Sequence, residues 1–314
     1  MQFFKQEPHI DFMGGRKFAI AVSILMVLFS IGALATKGLS FGLDFTGGTL
    51  IEVGYSKAVE LPPIRTALEK AGFRDAVVQH FGTAKDVLVR IAPQEGQDAT
   101  TLGDRVLKVL NGISGDKAKM RRQEFVGPQV GDELRDDGGL AMLIALGCIM
   151  LYVMARFEYR FALGSIIALL HDVTITLGCF ALFQWDFDLT VLAAVLAVIG
   201  YSLNDTIVVF DRIRENFRKL RKVSPVELVN RSLNQTLSRT IMTSFTTMLV
   251  VVAMFLFGGA LIHSFALALM IGIFVGTYSS IYVASTLALA MKITSSSLVP
   301  VKKEGEDAEP HMLP

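Results

Sequence analysis

The stretch VLAAVLAVIGYSLNDTIVVFDRIRENFRK, residues 191–219, decides the fold of this chain. In it, an apolar helix carries Asn204 and Asp205 and then runs directly into a basic segment. Residues 189–210 are long enough to cross a bilayer, at ~1.5 Å of rise per residue against a hydrocarbon core of ~30 Å. An aspartate in the middle of such a helix costs roughly 2.5–3.5 kcal/mol, so we expect Asp205 to face a bundle interior or a water path and to have a partner.

The composition is that of a membrane protein. Hydrophobic residues make up 52% of the 314 residues, charged residues make up only 19%, and the apolar residues come in long runs. The net charge of +1 conceals a strong local segregation of charge, which carries information about topology. Cys148 and Cys179 both fall in apolar runs, and two scattered thiols predict neither a disulfide framework nor a metal site.

We expect six transmembrane helices, because the sequence contains six sufficiently long apolar runs. They lie at about 18–36 and, within a five-helix region at 138–290, at about 138–155, 162–183, 189–210, 240–258 and 264–290. The connection at 211–239 holds eight Arg or Lys against three acids, whereas the connection at 184–188 is acidic. The positive-inside rule therefore places the N-terminal segment 1–17, the basic loop 211–239 and the tail 291–314 in the cytoplasm, and residues 37–137 outside it.

The first apolar run has an alternative interpretation as a cleavable signal peptide, since Ala33 and Ala35 form a small-x-small cleavage pattern. Cleavage would leave five spans and would place the charged tail on the side opposite the basic loops. Retention leaves six spans and keeps both ends on the side of the basic loops. The charge map favours an uncleaved anchor.

The segment 37–137 predicts a soluble α+β domain between the first two spans. Its predicted elements are, in order, the strand GGTLIEVGYS, the helix PPIRTALEKAGF, the strand pair AVVQHFG and DVLVRIAP, the helix TTLGDRVLKVLNGIS and the strand MRRQEFVGPQV. The alternating and amphipathic patterns support these assignments, as do the prolines that open the first helix and the glycine that ends it. The order β-α-β-β-α-β predicts a ferredoxin-like fold.

The fourth span carries a polar face. Tyr201 and Ser202 lie four and three residues before Asp205, so the three side chains share one side of a helix. Arg239 opens the fifth span on the same side of the membrane, and we expect it to form an ion pair with Asp205. Burial of the carboxyl group and the approach of a guanidinium oppose each other in deciding whether the carboxyl holds a proton. Movement of Arg239 would then load or release a proton; the alternative is a static pair that fixes helix packing.

Further polar and small residues lie in other spans. In the third span ALLHDVTIT places His171 and Asp172 near mid-depth, where Asp172 is a second candidate for proton movement or a hydrogen-bonding partner for a neighbouring helix. A stripe of hydroxyl groups in the fifth span would hold water or pack helices; it comprises Thr236, Thr240, Thr243, Ser244 and Thr247. In the last span Gly272, Gly276 and Ser280 form a small-residue ridge that predicts close helix packing.

The motifs of several enzyme classes are absent from the sequence. It contains no phosphate-binding loop of the form G-x-x-x-x-G-K-[ST], no H-E-x-x-H helix and no G-x-S-x-G elbow. The sequence therefore predicts a protein that is not an enzyme. We expect no cofactor, no metal and no nucleic-acid partner.

Four motifs resemble the SecF branch of the SecD/SecF family, membrane subunits of bacterial protein export within the resistance-nodulation-division superfamily. They are GLDFTGGTLIEV (42–53), EFVGPQVG (124–131), the HDV of the third span, and VIGYSLNDTIVVFDRIREN (198–216). The order of elements also matches over nearly the whole chain. In such a family member Asp205 corresponds to the proton-carrying aspartate and Arg239 to its nearby arginine, with Asn204, Tyr201, Ser202 and Asp172 as candidates along the proton pathway.

The resemblance implies an accessory subunit of the Sec translocase in the bacterial inner membrane. A SecD partner would complete a twelve-span bundle, and proton flow would draw preproteins out of the SecYEG channel. YajC, the translocating preprotein and membrane lipid are further expected partners. Exposed strands of the outer domain would bind an unfolded segment by strand addition or dock SecD. Two other functions stay open from the residues: a proton-coupled half-transporter of a small molecule or lipid, and a scaffold that carries no protons.

Overall fold

The computed structural model describes residues 8–74, 76–93, 99–113, 117–220 and 223–291. In chain order the elements are α1 (Arg16–Lys37), β1 (Ser40–Phe41), α2 (Leu43–Thr46), β2 (Gly48–Gly54), α3 (Leu61–Lys70), β3 (Val77–Phe81), β4 (Thr83–Ile91), α4 (Ala99–Asn111), β5 (Lys119–Val126), α5 (Pro128–Arg156), α6 (Tyr159–Phe183), β6 (Asp186–Phe187), α7 (Leu189–Lys219), α8 (Pro225–Phe257), α9 (Ala260–Ser279), a π-helical turn (Ser280–Ala284) and α10 (Ser285–Ala290).

Within the described residues, six helices are long and apolar enough to cross a membrane, which confirms the predicted number of spans. They are α1, α5, α6, α7, α8 and the continuous run Ile262–Ala290. In the most apolar window of α6 and of α7, 56% of the residues are buried, compared with 6% in α5 and 11% in α8. The centre of the bundle is therefore built from α6, α7 and the last span, while α5 and α8 expose broad apolar faces.

The outer domain has the predicted order of strands and helices, β2-α3-β3-β4-α4-β5. Its four-stranded antiparallel sheet has the spatial order β3-β4-β2-β5, so the first strand of the domain is central and pairs with the third and the fourth. Alternating residues such as Ile51, Val53 and Val89 are buried, and they pack with Leu68 of α3 and Val106 of α4. This is the ferredoxin-like arrangement that the periodicity predicts.

Two segments extend as helices where the sequence predicts other structure. Residues 128–137, expected at the end of the outer domain, are the first turns of α5, which begins at Pro128 after the extended Gly127. The expected loop 211–239 is mostly helical, because α7 continues to Lys219 and α8 begins at Pro225. Hydropathy locates the apolar part of a helix but not the charged turns that extend it beyond the bilayer. Such extensions are therefore predicted as loops. The expected segments 1–17 and 291–314 lie partly or almost wholly outside the described residues.

A junction between the outer domain and the bundle was not predicted. The two-residue strands β1 and β6 pair in parallel, with Ser40 opposite Asp186. The short helix α2 directly precedes β2 and brings Asp44 to the start of α7, where its Oδ2 accepts a hydrogen bond from the Leu189 N–H at 3.1 Å. Asp188 caps the same helix through its Oδ1, which accepts from the Val191 N–H at 2.9 Å. Two carboxylates thus satisfy the N-terminus of the helix that carries Asp205, where negative charge is favourable.

Glycines at this junction allow backbones to approach each other closely. Gly47 and Gly48 have φ values of +64° and +116°, which L side chains rarely adopt. A Cβ on Gly48 would lie 2.4 Å from the Ile91 carbonyl oxygen, and one on Gly131 would lie 2.8 Å from the Gly47 nitrogen. The motifs 42–53 and 124–131 therefore pack against each other where α5 leaves the sheet.

Asp186 connects the four-stranded sheet of the outer domain to this junction. Its carboxylate accepts hydrogen bonds from Ser40 Oγ at 3.2 Å and from Gln79 Nε2 of β3 at 2.7 Å, and it lies 3.6 Å from the guanidinium of Arg90 in β4. The outer domain is thus bound to the bundle through side chains as well as through the chain connections.

The cap at Asp188 predicts a defined pH dependence of stability. Burial raises the pKa of Asp188, and the nearby Asp44 adds to this, whereas hydrogen bonds from Thr190 and Val191 act in the opposite direction. A carboxyl with a raised folded-state pKa contributes stability at low pH that is lost as the pH rises from its ordinary value of 3.8 through the folded value. Asp188→Asn keeps the cap acceptor without the buried charge, so we expect unchanged or higher stability at neutral pH and a flatter acid-range profile.

The comparison variant is Asp188→Ala, which loses the acceptor and is expected to cost about 1 kcal/mol. Thermal unfolding of the purified full-length chain in detergent, followed across the acid to neutral range, measures both. Equal destabilisation by Asn and Ala would show that the charge, and not the hydrogen bond, supports the helix.

Candidate functional site

Asp205 lies at the meeting point of three helical segments. It is 4% exposed and sits sixteen residues after the start of α7, which corresponds to ~24 Å of helix rise. Thr240 Oγ1 of α8 donates a hydrogen bond to its Oδ1 at 2.8 Å, and Ser280 Oγ of the π-helical turn donates to its Oδ2 at 3.0 Å. Both carboxylate oxygens therefore have hydroxyl partners from other helices, as the cost of burying a charge requires.

The predicted ion pair between Asp205 and Arg239 is wrong for this structure. Among the described residues the polar contacts of the Asp205 carboxylate are hydroxyl groups, and the Arg239 side chain is exposed. Successive residues of a helix point ~100° apart, so directing Thr240 at Asp205 turns the preceding Arg239 away from it. Arg239 stays close enough to act electrostatically on Asp205, but not as its direct partner.

Asp172 forms a second buried carboxylate site beside the first. It is 0% exposed, and its Oδ2 accepts hydrogen bonds from Ser202 Oγ of α7 and, at 2.7 Å, from Ser279 Oγ of α9. His171 Nδ1 lies 2.8 Å from the other oxygen, Oδ1. The third span is thus joined to α7 and to the last span through one carboxylate.

Two consecutive serines connect the two carboxylates. Ser279 donates to Asp172 and Ser280 donates to Asp205, and the π-helical turn begins between them. A π-helical turn contains one residue more than an α-helical turn and often occurs at functional sites. The Ser285 hydroxyl donates to the Ser280 carbonyl at 3.0 Å, so a side chain supports the altered backbone. Sequence reasoning assigned Ser280 to a packing ridge, whereas its hydroxyl contacts the Asp205 carboxylate.

The other members of that ridge, Gly272 and Gly276, lie against α7. A Cβ on Gly272 would be 2.1 Å from Val198 Cγ2, and one on Gly276 would be 3.1 Å from Ser202 Cβ. A serine hydroxyl reaches across a helix interface only where the backbones are close. The glycines therefore set the distance at which Ser279 and Ser280 meet the carboxylates.

Among the described residues, the side chains of Tyr201 and Asn204 form no hydrogen bond with the Asp205 carboxylate. The Tyr201 hydroxyl donates to Ser244 Oγ at 3.1 Å, and Ser244 Oγ lies 2.8 Å from Thr277 Oγ1, so these three residues link α7, α8 and α9 in a separate group. Asn204 is exposed on the outer side of α7. Of the candidates along the proton pathway, the structure brings Asp172, Ser202 and Asp205 into the interior and leaves Asn204 and Arg239 outside it.

Sequence reasoning missed some residues of the site and overestimated others. Ser279 was not singled out, and the only available signal was its position beside Ser280. In the hydroxyl stripe of α8, Thr236 and Thr247 bond to carbonyl groups of their own helix, and Thr240 alone among the threonines reaches a carboxylate. Hydroxyl groups in a helix commonly bond to the preceding turn, so a stripe does not identify which member faces a partner.

This arrangement suits reversible proton binding. An ionised carboxylate accepts hydrogen bonds only, whereas a protonated one also donates, and a hydroxyl group can serve either role. Proton binding at Asp205 would therefore reverse or break its bonds with Thr240 and Ser280, which lie on different helices. No cation is in direct contact with Asp205 among the described residues, so a neutral carboxyl leaves no buried positive charge behind.

Two family profiles match this chain. The profile described as "Protein export membrane protein SecD/SecF, C-terminal" matches residues 106–294, and the one described as "SecD/SecF GG Motif" matches residues 32–59. The first match covers more than half of the chain and includes Asp172 and Asp205. The second includes the glycine pair at the junction.

Curated relatives are similar over almost the whole chain. "Protein translocase subunit SecF" of Vibrio alginolyticus is 55% identical over 313 residues, covering 100% of this chain and 99% of the relative. The SecF of Escherichia coli O157:H7 is 48% identical over 307 residues, covering 97% and 95%. "Protein translocase subunit SecDF" of Thermus thermophilus is 42% identical over 292 residues, covering 91% of this chain but 39% of the relative.

Solved structures give the same result. The crystal structure of SecDF from Thermus thermophilus superposes with a TM-score of 0.83 at 41% identity and covers 92% of this chain and 40% of that chain. A crystal structure of SecDF in a super-membrane-facing form superposes with a TM-score of 0.68 at 42% identity, with the same coverage. The family resemblance that the motifs predict is therefore confirmed: the chain belongs to the SecD/SecF family of protein export membrane proteins, on its SecF side.

Proposed function

We propose that this chain is the SecF-type accessory subunit of the Sec translocase, which works with SecD and uses the proton motive force to promote preprotein translocation and release across the inner membrane. The observation that carries the proposal is the Asp205 carboxylate, buried in a span and held by hydroxyl groups from two other helical segments. Ionisable groups inside the membrane are typical of proton pathways. The hydroxyl partners of Asp205 can donate to the ionised carboxylate or accept from the protonated one. That the transported cargo is a protein is inferred from the names of the similar proteins, which are protein translocase subunits.

The hydrogen bonds of Asp205 suggest how a proton changes the bundle. In the ionised state Thr240 and Ser280 both donate to the carboxylate and hold α8 and the last span against α7. Protonation removes the charge that makes these bonds strong, since a bond to a charged group is worth about 1.5–3 kcal/mol and a neutral one about 1 kcal/mol. The helices are then free to shift relative to each other, and Asp172 holds the neighbouring contact through Ser279 and Ser202.

The helix α7 offers a mechanical route to the outer domain. Its N-terminus is held by Asp44 and Asp188, and Asp44 directly precedes the first strand of the sheet. A tilt or rotation of α7 that follows proton binding would therefore be transmitted to the junction and to the sheet. Asp186 carries the same motion to β3 and β4.

SecD is the partner that the exposed surfaces fit best. The chain spans about 40% of the solved SecDF chains, and α5 and α8 expose apolar faces that a second six-span unit would cover. SecYEG, YajC, preprotein and lipid are further proposed partners. We place the N- and C-termini in the cytoplasm and the outer domain in the periplasm on the charge distribution, and we propose no enzymatic step.

The first test replaces the carboxyl. Asp205→Asn keeps the shape but cannot exchange a proton, so we expect preprotein export in cells depleted of their own SecF to fall to the level of depleted cells and to lose its dependence on the proton gradient. Asn204→Ala is the matched control, because Asn204 is adjacent in sequence yet exposed. Normal export with Asp205→Asn, at normal membrane abundance with SecD, would support a scaffold that carries no protons.

The second test removes one hydroxyl partner. Thr240→Val is nearly isosteric and deletes the donor to Asp205, which should shift the balance between the two helix arrangements by about 1.5–3 kcal/mol, or roughly 10- to 150-fold. Thr236→Val is the control on the same helix, since the Thr236 hydroxyl donates to the Ser232 carbonyl of α8. Gradient-driven export into inverted membrane vesicles should weaken for Thr240→Val and stay normal for Thr236→Val. An equal effect of both variants would assign the defect to the packing of α8.

A further inference from the structure

A charged cleft lies at the ends of α5 and α7 far from the outer domain. Its volume is about 450 Å³. It is lined by Arg156, Asp211, Arg214, Glu215, Arg218 and Lys219. Four cationic side chains thus face two carboxylates, and the cleft keeps an excess of positive charge.

The two acids of the cleft are already paired. Asp211 contacts Arg156 at 3.0 Å and Arg214 at 3.9 Å, and the Glu215 carboxylate accepts from Lys219 Nζ at 2.6 Å. Arg212 also reaches Glu215, at 2.8 Å.

Arg218 of the cleft remains available for an anion. Among the described residues Arg218 has no ion pair, and its side chain is exposed. Arg214 lies four residues earlier on the same face of α7, and its buried Nε has no hydrogen-bond partner in the described part of the chain. An anion that enters the cleft would therefore meet the uncompensated charge of Arg218, with the Arg214 guanidinium one helical turn away.

The arginines around this cleft are held in place by their surroundings. The guanidinium groups of Arg156 and Arg214 lie over the ring of Phe157, at 5.1 and 5.8 Å from its centroid. The Phe157 side chain is itself buried. Stacking and ion pairing together reduce the rotamer freedom that a cation loses when it binds a ligand.

The position of the cleft indicates which kind of anion it would bind. Arg156 ends one span, and Tyr159, which begins the next span, is 67% exposed. Tyrosines at the ends of spans lie at the level of the lipid headgroups, and arginines recognise phosphate by paired N–H donors. A phosphate at this level belongs to a phospholipid.

We propose that this cleft binds the headgroup phosphate of an anionic phospholipid, with Arg218 and Arg214 as the groups that contact it. The site is independent of proton coupling at Asp205, and it gives the proposed lipid contact of the chain a defined location. Recognition is through the exposed charge of Arg218 in a cleft with an excess of positive charge, so charged lipid is favoured over zwitterionic lipid.

Lipid retention by the purified full-length chain tests this site. The chain is placed in nanodiscs of phosphatidylcholine with a minor fraction of phosphatidylglycerol, and native mass spectrometry counts the lipids that stay bound after release. We expect Arg218→Gln to reduce phosphatidylglycerol retention about fivefold, since a basic residue at an anionic surface contributes on the order of that factor. Arg231→Gln removes the same charge from an exposed position at the start of α8, outside the cleft, and should leave retention unchanged.

Each alternative has a distinct result. Equal losses for Arg218→Gln and Arg231→Gln would replace the site with diffuse charge attraction. Displacement of the lipid by excess inorganic phosphate would identify a free-anion site and overturn the lipid assignment. Equal retention of phosphatidylcholine and phosphatidylglycerol by the unmodified chain would also overturn it, because a cationic site should prefer the charged lipid. Arg218→Lys, which keeps the charge, should retain phosphatidylglycerol better than Arg218→Gln.

Discussion

A buried carboxylate in a membrane has to be satisfied by side chains that the protein itself supplies, because the surrounding hydrocarbon offers no hydrogen bonds. Asp205 meets this constraint with short hydroxyl side chains, and short side chains require helix backbones to be close. The contacts of Gly272 and Gly276 with α7 follow from that requirement, and so does the central position of α6, α7 and the last span. Satisfying a single charge thus explains much of the packing of the bundle.

The same helix that carries the carboxylate also begins at the junction with the outer domain. Asp44 and Asp188 act on the first turn of α7, and the glycine pair lets the outer domain approach closely enough for Asp44 to do so. Two of the motifs that identify the family, 42–53 and 124–131, are therefore adjacent in space although they are far apart in sequence. Their common role is to connect the sheet, the start of α5 and α7.

The fold was largely predictable because the two sequence signals that specify it, hydropathy and residue periodicity, are strong and local. Hydropathy locates the spans, and alternation with amphipathic spacing locates the elements around Ile51, Leu68 and Val106. A polar residue such as Asp172 stands out in an apolar run for the same reason. The pairing of β1 with β6 was missed because two residues carry no periodicity.

The partners of Asp205 were not predictable from one sequence. To decide whether Arg239 or Thr240 contacts Asp205, one must know how α8 is rotated about its axis relative to α7. The residue spacing within either helix does not give that angle. Ser280 follows the α-helical spacing from Gly276, whose carbonyl accepts its N–H, but that spacing predicts close packing and does not show that the hydroxyl meets a carboxylate.

The π-helical turn contains one inserted residue, and such an insertion can move along a helix by local steps, as a dislocation moves through a crystal. Each step past a residue turns that residue by ~100° about the helix axis while only one or two backbone hydrogen bonds exchange partners. Because the insertion begins between Ser279 and Ser280, one step toward the N-terminus would turn the Ser279 hydroxyl away from Asp172. The rest of the last span would keep its position, so the hydrogen bond to Asp172 could be exchanged without moving the whole helix.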